Sequence, residues 1–175
     1  MKISGRLLSV SCFTFLQLAS LFTPKIADAG SATWSVNPPS SDWNTAANWT
    51  PATIPNGLSD VATFNNSSKT TIAVSETTEV SAMIFNPGAS SYTILPGPTE
   101  DRVFTLSGAG ITNNSGVTQN ITLPFMPGAG TVLFTNSASA GNAVVVTNLG
   151  GYVTNGVVLG GNTSFLNTST AGSAR

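Results

Sequence analysis

One ten-residue pattern occurs twice in this 175-residue chain and limits what it can fold into. Residues 134–143 read FTNSASAGNA and residues 165–174 read FLNTSTAGSA, a period of 31. Five positions are identical and four are conservative exchanges among Ser, Thr, Ala and Asn. Fainter echoes lie at 64–67 (FNNS) and 111–115 (ITNNS), and in the Asn/Gly-Gly turns at 148–151 and 160–162. A fixed period of about 20–50 residues marks an architecture in which each unit buries its apolar face against the next. In a stack of parallel β-coils, equivalent side chains lie ~4.8 Å apart along the axis. The repeat therefore predicts Phe134 and Phe165 as equivalent rungs stacked in the core, with Asn136 and Asn167 capping turns.

Composition agrees with such a stack. Ser, Thr, Asn and Gly supply 79 of the 175 residues, whereas charged residues are only 7% and the net charge is −1. Asn, Ser and Thr can hydrogen-bond up a ladder of coils, where stacked like charges would repel. Strong helix formers are scarce beyond residue 29. Thr, Val, Ile and Phe come instead in short runs, punctuated by Gly, Asn and Pro. Ten strands are predicted, over 60–65, 71–75, 80–85, 92–95, 102–106, 117–123, 131–135, 143–147, 156–159 and 163–166. Turns are read at Asn86-Pro87-Gly88, Pro96-Gly97-Pro98, Gly108-Ala109-Gly110, Pro127-Gly128 and Gly150-Gly151. The expected class is all-β, a parallel β-helix or solenoid, with a β-sandwich as the alternative.

The first 29 residues read as an export signal. Lys2 and Arg6 precede an uncharged, mostly apolar run over 7–22, and Ala27-Asp28-Ala29 offers a small-x-small cleavage site before Gly30. The run is shorter and more interrupted than a spanning helix, so no stable membrane span is expected after cleavage. Cys12, the one cysteine, lies inside this segment, leaving the remainder without any thiol. Residues 30–59 are then read as an N-terminal cap and 60–175 as the solenoid.

All three tryptophans fall in that cap, in WSVNPPSSDWNTAANW: Trp34, Trp43 and Trp49. A plug that closes the first coil is one reading. The other makes them a candidate carbohydrate contact, with indole faces stacked on sugar rings. Asp42 and Asp60 are the acids nearby; cation binding and the capping of Asn- and Thr-rich turns are both open to them.

The inventory of reactive groups is thin. With no His there is no imidazole base and no imidazole metal ligand. Six basic residues give no face for phosphate, so no nucleic-acid partner is expected. Glu76 and Glu79 would face opposite sides of an unbroken strand, Glu100-Asp101-Arg102 reads as a solvated turn, and the serines lack an activating base. A carboxylate pair of the glycosidase kind is not evident. No cofactor, metal site or catalytic residue is expected, and a degenerate polysaccharide-degrading β-helix enzyme is the second alternative.

The segment DWNTAANWTPATIPNGLSDVATFNN, with SGAGITNNSGVTQNI and the two repeat copies, resembles bacterial secreted proteins carrying autotransporter-associated β-strand repeats. The likeness runs over about 32–174. It implies a parallel β-helix exported across the inner membrane of a Gram-negative bacterium and displayed or released as a stalk-like or adhesive passenger. Its ligand would be an unidentified surface or polysaccharide. No outer-membrane barrel follows the repeats, so a truncated member is expected, with an open C-terminal coil able to self-associate through its unpaired edge.

Overall fold

The computed structural model describes residues 30–98, 102–125, 130–154 and 157–175. The export signal, Glu100, Asp101 and the Pro127-Gly128 turn lie outside the described residues. Thirteen strands follow in chain order: β1 (Ala32–Trp34), β2 (Trp49–Thr50), β3 (Gly57–Phe64), β4 (Thr71–Val74), β5 (Thr78–Phe85), β6 (Thr93–Pro96), β7 (Val103–Asn113), β8 (Gln119–Leu123), β9 (Thr131–Phe134), β10 (Val144–Asn148), β11 (Tyr152–Thr154), β12 (Val157–Leu159) and β13 (Asn162–Phe165). One 3-10 turn, Ala46–Asn48, precedes β2, and no α-helix occurs among the described residues.

The strands wind into a β-solenoid of about four turns. One wall is a sheet in the order β13-β9-β7-β5-β3-β1-β2, parallel throughout except for the β1–β2 pair. A second wall stacks β10-β8-β6-β4, again all parallel. Single bridges joining Gly110, Ser139 and Thr170 carry a further corner up the stack. The antiparallel pair β11–β12 leaves the winding between β10 and β13. Parallel pairing between successive coils distinguishes this from the sandwich, whose sheets are antiparallel.

Alternation along the strands explains the core. Ile72 and Val74 of β4, Ile94 of β6 and Ile121 and Leu123 of β8 point inward and are buried, while the residues between them face outward. On the long wall, Leu106, Phe134 and Phe165 occupy one register column. The rings of Phe134 and Phe165 stack with centroids 4.7 Å apart at 10°, so the two repeat copies are successive rungs. Asn136 and Asn167 both adopt left-handed backbone (φ 54° and 58°), and Asn136 Nδ2 donates across the coil to Ser107 O at 2.8 Å. Phe165 departs from expectation in depth. It is 39% exposed, whereas Phe134 is fully buried, because its coil is outermost.

Gly108-Ala109-Gly110 is not the predicted turn but runs inside β7. Here the strand turns a corner of the stack, and five residues of β7, Leu106 to Gly110, span what three residues of β5 span from Val80 to Ala82. Neighbouring coils approach too closely for side chains at this corner. A Cβ on Gly108 would collide with the Ser81 hydroxyl, and one on Gly110 with the Ser139 backbone.

Candidate functional site: the tryptophan segment

β1 and β2 pair antiparallel, which sets Trp34 opposite Trp49. Their rings meet edge-on, 5.0 Å apart at 80°. Trp43 enters from the intervening loop, where its N–H donates to Ala73 O at 2.8 Å and Ala73 N–H donates to Ser41 O at 2.9 Å. Those bonds lay the loop along the outer edge of β4 in place of a further strand. The Trp43 ring meets Trp49 at 4.8 Å and reaches Phe104 of β7 at 5.2 Å. Phe64 continues the cluster, stacked on Phe85 at 4.8 Å and in contact with Tyr92 at 5.1 Å.

The three indoles are 0–2% exposed. A buried indole N–H needs an acceptor, and each has a backbone carbonyl: Lys69 O for Trp34 (3.0 Å), Pro55 O for Trp43 (2.9 Å) and Trp43 O for Trp49 (2.7 Å). The segment thus forms an aromatic plug at the first coil. The indole faces that a stacked sugar would need lie inside the molecule.

Polar residues of the cap are committed to the loop itself. Asn48 is fully buried; its amide donates to Ser40 Oγ (2.7 Å) and Asp42 O (2.6 Å) and accepts from Ser40 N–H (2.9 Å). The Asp42 carboxylate accepts from Thr45 Oγ1 (2.7 Å) and Ser75 Oγ (2.6 Å), fastening the loop to the end of β4. The Asp60 carboxylate accepts from Asn56 N–H at 3.1 Å. Both acids act as turn caps here, and among the described residues no group of three or more His, Cys, Asp or Glu is placed to hold a metal ion. The Arg102–Glu76 ion pair, at 3.8 Å between part-exposed side chains, is of the kind that adds little to stability.

A second polar feature, inside the corner before the four-stranded wall, was not singled out from sequence. Ser67 Oγ donates to Ser35 O at 2.9 Å. Two coils on, the buried Gln119 amide accepts from Tyr92 N–H (2.8 Å) and donates to Ser90 O (3.1 Å) and Ser115 Oγ (3.0 Å). Tyr92 Oη donates to Asn65 O at 2.7 Å. Burial pushes the Tyr92 phenol up to about 12, partly opposed by the Ser67 hydroxyl. The available signal was a serine three or four residues ahead of β4, β6 and β8 alike.

One groove of about 310 Å³ is lined by Asn113, Asn114, Ser139, Asn142 and Ser173 among others, with no acid or base in its lining. Set against protein-family models, curated proteins and solved structures, the chain matches none of them.

Proposed function

We propose that this chain is a secreted or surface-displayed solenoid module with a structural and adhesive role and no catalysis of its own. The observation that carries the reading is the stack itself. Successive coils are tied by continuous parallel ladders and by Ser, Thr and Asn bonds between coils, such as Thr168 Oγ1 to Asn136 O at 2.7 Å and Asn86 Nδ2 to Asn65 Oδ1 at 3.0 Å. That construction extends by repetition and presents walls of low charge; Thr71, Thr93 and Asn120 form one outward column on the four-stranded wall. The pattern of residues 1–29 supports export. Stability without disulfides then falls to the ladders and the aromatic core.

Ligand contact is assigned to the outer walls, with the tryptophans acting as the plug. Expression of the full chain in a Gram-negative host, followed by fractionation and N-terminal sequencing, tests export: the expected product begins at Gly30 and lies outside the cytoplasm. A cytoplasmic product retaining residues 1–29 would overturn the reading. Titration with polysaccharides separates the two uses of the tryptophans. Their emission is expected to stay constant even where binding is detected by another method, and a ligand-dependent shift would restore them as a contact site.

A further inference from the structure

We infer that the corner reached at the ends of β3, β5 and β7 is a binding site for a linear, uncharged polysaccharide, which lies lengthwise along the side of the solenoid. The inference rests on the proposed adhesive role and names the ligand class and the side chains that carry it.

Successive coils each bring a polar side chain to this corner. Asn86 N–H donates to Phe64 O at 3.0 Å and Asn114 N–H to Phe85 O at 2.8 Å, so Asn65, Asn86 and Asn114 leave the long wall at the same step of three coils. Phe64 and Phe85 are buried, and alternation turns the asparagine after each of them outward. Asn142 and Ser173, equivalent positions of the two repeat copies, continue the file; with Asn113 and Asn114 they line the groove of about 310 Å³. Coils follow one another at ~4.8 Å. That step is close to the advance of one sugar ring in an extended polysaccharide, so a chain laid along the file meets an equivalent group ring after ring.

The groove has a fixed floor and an unengaged rim. Asn113 Nδ2 donates to Val117 O and Ala143 O, both at 2.9 Å, and its Oδ1 accepts from Ser115 N–H at 3.1 Å. Ser139 Oγ accepts from Gly141 N–H at 3.0 Å. Asn114 and Asn142 are exposed, and neither side chain bonds to another group among the described residues. Each therefore offers a donor and an acceptor side by side on a backbone already held in place, which lowers the ordering cost of binding. Farther along, Asn86 Nδ2 is spent on Asn65 Oδ1, leaving the Asn65 amide N–H and the Asn86 carbonyl for a ligand.

The chemistry of the lining selects the occupant. Among the described residues no acid or base lines the groove. A nucleic acid would need cations there, and a charged polysaccharide would give up its hydration with no opposite charge in return. A protein partner would need aromatic or Arg anchors seated in pockets. Neighbouring hydroxyls of a neutral sugar donate and accept at once, as the amides do. The groove is at the small end of the ligand-site range, ~300 Å³ and upward, so it holds a short stretch of the chain while the rest follows Asn86 and Asn65.

Isothermal titration calorimetry on the full expressed chain tests this, with far-UV circular dichroism as the check on folding. The probes are the hexamers and dimers of β-linked glucose, N-acetylglucosamine and mannose, with the galacturonic acid hexamer as the charged counterpart. At least one neutral hexamer is expected to bind saturably, more tightly than its dimer and more tightly than the charged hexamer. Asn114→Ala and Asn142→Ala should each weaken that binding by about fivefold, with the β signal retained, and either one suffices if the other perturbs the fold. Asn162→Ala, at an exposed position of β13 away from the groove, should leave it unchanged. No binding of any neutral hexamer, a dimer that binds as tightly as its hexamer, or a charged hexamer that binds as tightly as the neutral ones would each overturn the inference. Hexamer binding that persists undiminished in folded Asn114→Ala and Asn142→Ala variants would also overturn it, while leaving the adhesive role in place. The N-terminal sequence of the exported product is a separate readout, so export stands or falls on its own.

Discussion

Among the described residues, Ala143 holds a left-handed backbone conformation (φ 48°) that the other two such non-glycine residues, Asn136 and Asn167, accept more readily. A Cβ there meets the following carbonyl, at a cost of roughly 1–2 kcal/mol. Ala143→Gly should therefore raise stability by about 1 kcal/mol, seen as a thermal midpoint about 3 °C higher; a lower midpoint would mean that unfolded-chain entropy outweighs the strain. Tyr92 gives the second prediction at this scale. Its phenol ionises at about 12 in the folded chain against 10.0 ordinarily, chiefly through burial. The unfolded chain thus loses its proton first. Stability is complete below pH 10 and falls as pH rises from 10 towards 12, by at most roughly 3 kcal/mol. Chemical denaturation at pH 8 and pH 11 should reveal the decline in the wild type, and Tyr92→Phe should flatten it. A variant that keeps the whole decline would place its origin elsewhere.

Corners, more than strands, decide how the elements connect. Gly108 and Gly110 are both barred from carrying a Cβ, but by different obstacles: the Ser81 hydroxyl for the first and the Ser139 backbone for the second. Gly110 also has φ +81°. Gly108→Ala should be destabilising and partly rescued by Ser81→Gly, whereas Gly110→Ala should cost several kcal/mol with no single-residue rescue. Equal rescue at both positions would show that the corner is softer than its contacts indicate. These glycines also mark where sequence reasoning stopped. All ten predicted strands correspond to β3–β10, β12 and β13, because period-2 alternation and Gly/Pro punctuation are local signals. The path through Gly108-Ala109-Gly110 was misread because glycine marks a turn and a crowded crossing alike, and only the neighbouring coil tells them apart. β1, β2 and β11 were missed for a related reason: at two or three residues each they are too short to show a period, and their pairing partners define them. In the candidate site, the plug was legible from the clustering of the tryptophans at the start of the chain. The Ser67–Tyr92–Gln119 corner was not, since its members converge from successive coils.

For the whole molecule, a solenoid joins each coil only to its neighbours, so opening proceeds from the ends and the less protected end opens first. Seven rings from Trp34 to Phe104 interlock at the capped end, whereas the coil over 162–175 is held by a single ring stack, the β9 ladder and the hydrogen bonds of its turn. Amide hydrogen exchange on dilute protein should therefore be slowest in β5 and β7, with β13 exchanging well before β3. Trp43→Ala removes the ring that ties Trp49 to Phe104 and costs about 3–5 kcal/mol. Fast exchange should then spread into β1–β4 and leave the rate at β13 unchanged, because the two ends share no contact. Exchange that moved together at both ends in the Trp43→Ala variant would mean that the coils open as one cooperative unit and that the cap stabilises the entire stack rather than its own end.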